Sequence, residues 1–404
     1  MNQRKYRKGL AALAVLALGV GVTACGGSDS GSDTTVASSD TTGSGDGFTL
    51  KNFTPTEGAT VVDCGPEEGQ PLKAAWVYVG PINDGGWTQT HEAGRQYVQE
   101  ALGDKIVTTY KENVPEGPQV ETVIDDLVKD GNTLIFGTSY GFQDAFVAAA
   151  EKYPDVCFEF ATGFKQSNNM SQFYGASEDT KYLSGIAAGA EAPEGASIGV
   201  VAPFAIPEVI RGINGFTLGV QKVNPTATVK VVWVNTWFDP AKERKAAESL
   251  IAEGVKAIAS FQDSPATGEA AKEVGIGWVG YDSDQSEAYA DIWLTASTYD
   301  WGPYELAKAQ AILDGKWISG NYYGSLNDDF VGLANYGTKV SQETKDLIAS
   351  ERTRLTETPG AQFTGPITAQ DGTVKIAEGA MPSYDDLMNM NYQVKGITTD
   401  LPKS

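Results

Sequence analysis

Two tryptophans in this 404-residue chain follow predicted strand ends, where an aromatic ring is well placed to meet a flat ligand. Trp87 comes directly after the turn GPINDGG at residues 80–86, and Trp237 lies in the motif NTWFDP at residues 235–240. Stacking of a base on an aromatic side chain contributes ~1–3 kcal/mol. If the two loops face one another, the two rings can hold one planar heterocycle. The alternative is that each Trp packs beneath its own helix as part of a core.

Polar side chains near predicted strand ends are candidates to recognise the edge of such a ligand. The candidates are Asp282, Asn83, Asp84, Ser139, Tyr140 and Glu208. Carboxylates accept hydrogen bonds from ligand hydroxyl and N–H groups. In the loop GYDSD at residues 280–284, Asp282 and Asp284 suit ligand contact and helix capping equally well, and both interpretations stay open. Asp239 before Pro240 is more typical of a helix N-cap than of a ligand contact.

The residues that could support catalysis or hold a metal are few. His91 is the only histidine, so a Ser-His-Asp triad or a His-rich metal site would depend on that one imidazole. No CxxC motif is present to suggest structural zinc. The turn at residues 80–86 lacks the GxGxxG spacing of a dinucleotide site, and Pro81 lacks an amide donor. The carboxylate pair Asp282 and Asp284 also suggests a glycosidase. No further acid is an obvious partner for this pair, and spacing in the sequence does not give the separation of the two groups in space. We predict no catalytic residue, no metal and no cofactor.

The N-terminal segment is typical of an exported lipoprotein. Lys5, Arg7 and Lys8 precede a short apolar run at residues 9–22, and the sequence VTAC at residues 22–25 ends at Cys25. Small residues before a Cys form the cleavage and lipidation signal of a lipobox. The run is shorter than the ~20 residues that span a bilayer. The alternative is a cleaved secretory signal with an incidental Cys.

With Cys25 assigned to lipidation, two cysteines remain, Cys64 and Cys157, which is an even number and allows one pair. An oxidising compartment favours one disulfide between them, and two unpaired thiols are the alternative.

Composition separates a tether from a globular body and argues against a nucleic-acid partner. Residues 26–47 consist mostly of Gly, Ser, Asp and Thr, which is typical of a flexible segment. The whole chain has 30 basic and 52 acidic residues and a net charge of −22, whereas nucleic-acid binding depends on neutralising phosphates. A hydrophobic content of 41% is sufficient for real cores.

Apolar runs and amphipathic segments alternate along the body, which predicts two α/β lobes with parallel sheets. The predicted strands are residues 74–79, 105–110, 133–137 and 157–161 in the first lobe, and 197–201, 230–234, 257–261, 277–280 and 294–298 in the second. The predicted helices are residues 87–102, 118–130, a segment ending at 152, 181–191, 207–223 and 240–253. Doubly wound sheets bind ligands at the carboxyl ends of their strands, so we expect the ligand in the cleft between the lobes.

The predicted organisation divides the chain into four parts. Residues 1–24 are the signal peptide and residues 25–70 the lipidated Cys with its flexible tether. Residues 71–176 plus 299–324 form the N-terminal lobe, and residues 177–298 plus 325–404 form the C-terminal lobe. Three chain crossings are expected near residues 174–178, 295–300 and 322–328.

With these loops laid out, the chain resembles the basic-membrane-protein (BMP) family of ABC-transporter substrate-binding lipoproteins over about residues 73–396. The motifs that carry the resemblance are VGPINDGGWT at 79–88, NVPEG at 113–117, IFGTS at 135–139, PEVIRGIN at 207–214, WFDPAKE at 237–243, GYDSD at 280–284 and FTGP at 363–366.

The family resembles purine-nucleoside receptors, which implies a type I periplasmic-binding fold with a three-crossing hinge. It also implies that Trp87 and Trp237 stack on a purine and that Asp282 matches a ribose-binding position. Nucleoside-binding members carry a Lys after the strand that matches residues 294–298, whereas residues 299–303 here are YDWGP. This departure favours a free base such as adenine.

These observations predict a monomeric, lipid-anchored extracytoplasmic protein that binds a purine base or nucleoside. The implied partners are an ABC permease and its ATPase, and the membrane through the lipid anchor. The alternatives are a surface-anchored nucleoside or sugar hydrolase, or a receptor without transport.

We expect Cys25→Ser to release the protein into the medium or to leave it unprocessed, because lipidation requires the thiol. Membrane fractionation with mass spectrometry of the mature N-terminus tests this prediction. Membrane retention of the wild-type protein with an unmodified N-terminus would contradict it.

Overall fold

The computed structural model describes residues 50–402, and the predicted signal segment and Cys25 lie outside these residues. The described chain contains two α/β lobes, each built on its own sheet. All nine predicted strands are present, with ends that differ from the prediction by at most two residues. The sequence pattern therefore located the elements that carry the candidate site.

The first sheet has seven strands in the order β1-β12-β6-β5-β4-β2-β3. The strands are β1 (Phe53–Pro55), β2 (Leu72–Val77), β3 (Ile106–Lys111), β4 (Leu134–Gly137), β5 (Cys157–Ala161), β6 (Met170–Gly175) and β12 (Gly320–Gly324). All neighbours pair in parallel except β1, which runs antiparallel to β12 at the edge. β4, β5 and β6 are buried along their whole length, as expected for parallel strands covered on both faces.

The second sheet has six strands in the order β13-β11-β10-β9-β7-β8. The strands are β7 (Ser197–Ala202), β8 (Thr228–Trp233), β9 (Ala257–Ser260), β10 (Gly277–Asp282), β11 (Trp293–Tyr299) and β13 (Val331–Leu333). Only the edge strand β13 is antiparallel to its neighbour. The two sheets are thus built alike, each from parallel strands with one short antiparallel strand at an edge.

Helices cover the faces of the two sheets. They are α1 (Trp87–Leu102), α2 (Gln119–Lys129), α3 (Gln143–Lys152), α4 (Ser177–Glu191), α5 (Pro207–Val223), α6 (Pro240–Ala252), α7 (Ala266–Val274), α8 (Gly302–Leu313), α9 (Gln342–Glu357) and α10 (Tyr384–Met388). α4 is buried over most of its length because α5, α9 and the second sheet surround it. A Cβ atom on Gly219 of α5 would lie only 1.9 Å from the carbonyl oxygen of Tyr182, so the close packing of α4 and α5 requires glycine there.

The chain passes between the lobes three times. After β6 of the first sheet it enters α4, which packs against β10 and β11 of the second. After β11 it returns to α8, which packs against α1, and after β12 it goes on to β13. This is the three-crossing arrangement that the sequence predicts.

The segment before β2 differs from the prediction. Residues 25–70 are expected to form a tether, but β1 adds a strand to the first sheet through its pairing with β12. The chain then runs along this lobe, with hydrogen bonds from the N–H of Thr56 to the carbonyl of Ser319 and from Val62 to Trp317. Phe53 also lies beneath the ammonium of Lys308, 4.7 Å from its ring centroid. The expected tether is therefore too long at its C-terminal end, because an open sheet edge offers the segment hydrogen-bond partners.

A disulfide joins Cys64 to Cys157, the first residue of β5, with the two Cα atoms 5.9 Å apart. Both residues are buried in the core of the first lobe. The bond therefore fixes the segment that follows β1 to the middle of the sheet.

The C-terminal residues complete the second lobe. The short strands β14 (Ile367–Thr368) and β15 (Val374–Ile376) pair with each other, and α10 packs against α5. Asn214 of α5 accepts a hydrogen bond from the N–H of Val394 at 2.9 Å and donates one to the carbonyl of Tyr392 at 2.7 Å. Among residues 50–402, none of the helices combines the length and apolar character that a bilayer span requires.

Replacing both Cys64 and Cys157 by Ser should lower the free energy of unfolding by about 4–5 kcal/mol, the value that loop entropy gives for a closed loop of about a hundred residues. Urea unfolding monitored by circular dichroism measures this change. Reductant should lower the midpoint of the wild-type protein and leave that of the double variant unchanged. Two thiols titrating in denatured, unreduced wild-type protein would contradict the prediction.

Candidate functional site

A narrow cleft lies between the lobes, where the carboxyl ends of the parallel strands of both sheets converge. The first lobe contributes Val79, Trp87, Thr138, Ser139, Tyr140 and Thr162, and the second contributes Glu208, Trp237, Phe261, Asp263 and Tyr281. Apart from Tyr281 near the end of β10, each residue follows a strand of one of the two sheets. The location is the one expected for a ligand site on open α/β sheets.

Trp87 is held rigidly in the wall formed by the first lobe. It is the first residue of α1 and is 8% exposed. Its indole Nε1 donates a hydrogen bond to the carbonyl of Thr138 at 2.6 Å. His91 and Trp301 pack against it edge-on, with ring centroids at 4.7 and 5.2 Å. One face of the indole is thus supported by other rings while the side chain also lines the cleft.

His91 lies behind Trp87 and does not line the cleft. Its ring stacks on Trp301 at 4.0 Å, and burial holds its pKa well below the usual value. The nearest carboxylate is Glu305, 3.6 Å from Nδ1 and also buried. The single histidine of the chain is therefore a neutral core residue.

Trp237 reaches the cleft from the second lobe and contacts the first. Its Nε1 donates a hydrogen bond to Oε1 of Glu116 at 3.0 Å, and its ring packs edge-on against Phe204 at 5.0 Å. Glu116 belongs to the loop after β3 and also accepts hydrogen bonds from the hydroxyl of Ser139 at 2.7 Å and the N–H of Gly141 at 2.8 Å. One carboxylate thus joins the loop that follows β4 to the Trp of the opposite lobe.

Glu208 is part of a second connection between the lobes. It lies in the first turn of α5 and accepts a hydrogen bond from the hydroxyl of Tyr174 on β6 at 2.8 Å. Tyr299 of β11 donates in turn to the hydroxyl of Tyr174 at 2.7 Å. Burial raises the pKa of Glu208, although the hydrogen bond from Tyr174 opposes the shift. This chain of hydroxyl groups lies next to two of the three passages between the lobes.

Asp282 lies beside the cleft rather than in its wall. It ends β10 with a φ of 54° and is 1% exposed, and neither carboxyl oxygen has a hydrogen-bond partner among the described residues. Burial raises the pKa of Asp282 to about 7, although the charge of Lys181 opposes the shift. Lys181 of α4 lies with its ammonium 5.1 Å from the ring centroids of both Phe261 and Tyr281, which do line the cleft.

Two of the predicted site residues lie elsewhere. Asn83 is exposed on the turn before α1 and does not line the cleft. Asp84 is buried, but its carboxylate accepts hydrogen bonds from the backbone N–H groups of Gly86, Thr88 and Gln89 at 2.9 to 3.0 Å. It caps the start of α1, and its accepting positions are occupied by the protein.

Asp284 and Asp239, which the sequence offered as helix caps or ligand contacts, both accept hydrogen bonds from the protein. Asp284 accepts hydrogen bonds from the N–H of Ser286 at 2.9 Å and from the side-chain amide of Asn335 at 2.7 Å. Asp239 accepts one from the N–H of Lys242 at 3.0 Å and caps α6, as expected.

Sequence reasoning missed Asp263. The loop QDSP at residues 262–265 follows the predicted strand β9, so the signal was the same as for the other strand-end loops. Asp263 lines the cleft, and its Oδ1 accepts a hydrogen bond from the N–H of Trp87 in the opposite lobe at 3.3 Å. Phe261 and Tyr281 were missed as well, because nothing local distinguishes a strand residue that faces a cleft from one that faces a helix.

A larger polar chamber adjoins the cleft and shares Tyr140, Thr162 and Glu208 with it. Gln172 lines this chamber and is buried, and its side-chain oxygen has no hydrogen-bond partner among residues 50–402. Arg211 lines it too and forms a buried ion pair with Glu178 at 3.0 Å. The cleft therefore continues into space that accommodates a polar substituent.

Solved structures share this architecture. A solute-binding protein of an ABC transporter system from Aeropyrum pernix superposes with a TM-score of 0.64 at 17% identity, covering 78% of this chain and 95% of that one. A transcriptional activator of the comK gene from Bacillus halodurans superposes with a TM-score of 0.60 at 24% identity, covering 71% and 98%. These similarities show the fold, which is the periplasmic-binding architecture that the sequence resemblance implies.

Sequence comparison shows the family. A purine-binding protein of Brucella abortus is 40% identical over 334 residues, covering 83% of this chain and 95% of that protein. A putative ABC transporter glucose-binding protein of Haloferax volcanii is 38% identical over 321 residues, covering 80% and 79%. The family model described as "ABC transporter substrate-binding protein PnrA-like" matches residues 72–358. The chain therefore belongs to the Bmp family of PnrA-like ABC transporter substrate-binding proteins.

Proposed function

We propose that this substrate-binding protein holds a purine base, with adenine as the leading candidate, between Trp87 and Trp237 and delivers it to an ABC permease and its ATPase. The observation that carries the proposal is that two Trp side chains, one from each lobe, line a single small cleft. The Brucella relative, which is named as purine-binding, supports the same ligand class.

The free base is favoured over the nucleoside. No Lys follows β11 in residues 299–303, and the ammonium of Lys181 lies over the rings of Phe261 and Tyr281. We therefore expect ribose to add less affinity than one charge-assisted hydrogen bond, about 1.5–3 kcal/mol. A nucleoside remains the second purine ligand, because the adjoining chamber accommodates a polar substituent.

A sugar is the alternative solute, since the Haloferax relative is named as a putative glucose-binding protein. Tryptophans from opposite lobes suit the two parallel faces of a planar heterocycle better than the edges of a sugar ring, whose hydroxyl groups require many polar partners. Calorimetric titration of ligand-stripped protein with adenine, adenosine and glucose separates these ligands.

The alternative of a nucleoside or sugar hydrolase receives little support from the site. The only histidine is buried outside the cleft, and Asp84 is occupied in capping α1. We expect no free base to appear when the pure protein is incubated with nucleosides, as chromatography would show.

Substrate-binding proteins of ABC importers act on the extracytoplasmic side of the membrane. For this chain we propose a monomer anchored through lipid on Cys25. The moving units are residues 71–176 plus 299–324, with residues 50–70 attached to them through β1 and the Cys64–Cys157 disulfide, and residues 177–298 plus 325–404. Three connecting segments permit closure of the lobes as rigid bodies with few moving dihedral angles.

Replacing Trp87 or Trp237 by Ala should weaken adenine binding tenfold to hundredfold, because each loses ~1–3 kcal/mol of stacking. Replacing Trp237 by Phe should cost less, since an aromatic face remains. Isothermal titration calorimetry measures the affinities, and the melting temperatures of the unliganded variants show whether the fold is retained.

Trp233 provides a matched control, because it belongs to β8 and does not line the cleft. Trp233→Phe should leave the affinity for adenine unchanged. The absence of binding heat with every purine base and nucleoside would contradict the proposed ligand. Equal adenine affinity in the wild-type protein and the two Ala variants would contradict stacking by Trp87 and Trp237.

Glu116→Ala should weaken ligand binding about fivefold, since it removes a hydrogen bond of about 1 kcal/mol across the mouth of the closed cleft. We expect the change chiefly in the dissociation rate, which stopped-flow Trp fluorescence measures. Glu121→Ala on α2 alters the net charge equally at a position that does not line the cleft, and should have no effect. Identical rates in the two variants would contradict a role for Glu116 in closure.

A further inference from the structure

Asp263 links the two lobes at the edge of the cleft. It follows β9 of the second lobe, and its Oδ1 accepts the N–H of Trp87 at 3.3 Å. A Cβ atom on Gly86 would lie 2.9 Å from the Cα atom of Asp263 and 3.2 Å from its Oδ1. The two backbones are thus in contact at this point. The carboxyl group is held beside the first turn of α1, next to one of the two Trp rings of the cleft.

Two other buried carboxyl groups act on Asp263. Asp84 is bound to the N–H of Gly86 and Asp263 to the N–H of Trp87, so these two groups are attached to consecutive amides. Asp282 ends β10, the strand paired with β9. The cleft therefore closes with one carboxyl group from the first lobe near two from the second.

The other charged groups on this side do not neutralise Asp263. Glu243 of α6 lies behind the loop and accepts a hydrogen bond from the hydroxyl of Ser264. Lys181 of α4 acts on Asp282 and Glu208. Among residues 50–402, the hydrogen-bond donor to Asp263 is the N–H of Trp87 alone.

The three carboxyl groups differ in the hydrogen-bond donors that stabilise their ionised form. Asp84 has three backbone N–H donors, Asp263 has one at 3.3 Å, and Asp282 has none among the described residues. Donors of this kind favour the carboxylate. Burial raises the pKa of Asp84 as well, but burial together with the charges of Asp84 and Asp282 holds the pKa of Asp263 well above its usual value. These surroundings favour the neutral form of Asp263 in the closed cleft, whereas the charge of Lys181 favours the ionised form of Asp282.

A neutral carboxyl group offers one O–H donor beside one acceptor oxygen, whereas a carboxylate offers acceptors alone. Adenine presents the matching pair, a ring nitrogen acceptor next to its exocyclic amino donor. An ionised carboxylate would set its lone pairs against that ring nitrogen.

We propose that Asp263, as the protonated acid, determines specificity by donating its O–H to a ring nitrogen and accepting a hydrogen bond from the adjacent amino group of an aminopurine. This inference rests on the proposed function and names the ligand edge that the cleft recognises. At a pH at which Asp263 is ionised in the open protein, binding of the aminopurine takes up one proton from solvent. Affinity is then highest at low pH and falls as pH rises, by up to about tenfold per pH unit.

The test compares the wild-type protein with Asp263→Asn and Asp263→Ala between about pH 5 and about pH 8. The Asn amide is a permanent donor-acceptor pair of the same shape, so Asp263→Asn should retain adenine binding and lose the part of the pH dependence that Asp263 contributes. Asp263→Ala should weaken adenine binding about tenfold to hundredfold, the value of one bidentate pair. Asp282 and Glu208 are present in all three proteins, so the difference between wild type and Asp263→Asn reports the titration of Asp263 together with its interaction with Asp282.

Unsubstituted purine, which lacks the amino group, provides the matched ligand. The wild-type protein and Asp263→Asn should prefer adenine to purine, and Asp263→Ala should bind the two with similar affinity. Melting temperatures of the unliganded variants confirm folding.

The outcomes separate this inference from the proposed function. If adenine binds but Asp263→Asn keeps the wild-type pH dependence, or Asp263→Ala keeps the preference for adenine over purine, this inference alone is overturned. If the wild-type protein binds no purine at any pH, the proposed function is wrong and the inference fails with it.

Discussion

Parallel pairing of the strands is the constraint on which the molecule depends. Each parallel strand must be followed by a crossover, so the carboxyl ends of all strands in a sheet lie along one edge. Two such edges face one another here, and the loops after β2, β4 and β5 meet those after β7, β8 and β9. The position of every residue that lines the cleft follows from this arrangement.

Polar groups and aromatic rings both make contacts between the lobes. Trp237 donates to Glu116, Tyr174 to Glu208, and the amide of Trp87 to Asp263, and each of these hydrogen bonds joins one lobe to the other. Such bonds contribute little net free energy, because water replaces them when the cleft opens. Hydrogen bonds of this kind suit a substrate-binding protein, because they let the cleft open at little cost in free energy.

The first lobe is reinforced where the chain enters it. β1 covers the open edge of β12, and the Cys64–Cys157 disulfide fixes the following segment to β5. Both features lie on the same lobe as the rigid support of Trp87, whose indole is hydrogen-bonded to Thr138 and packed against Trp301. One wall of the cleft is thus held in a fixed geometry, which is the condition for a preformed ligand site.

The sequence alone determined the elements, the two-lobe architecture and the loops that carry the site. Apolar periodicity and turn residues are local properties, so β2 to β5 and β7 to β11 could be located from the pattern, and Trp87 and Trp237, singled out from the sequence, both line the cleft. The tertiary structure decided which polar groups remain available to a ligand. Asp84 and Asp263 both carry carboxyl groups in strand-end loops, yet Asp84 is occupied by three backbone amides at the start of α1 and Asp263 lines the cleft. The segment at residues 50–70 joins the first lobe because β12, more than 250 residues away in sequence, leaves an edge to pair with. Hydrogen-bond partners and burial depend on residues distant in the chain, and no local pattern records them.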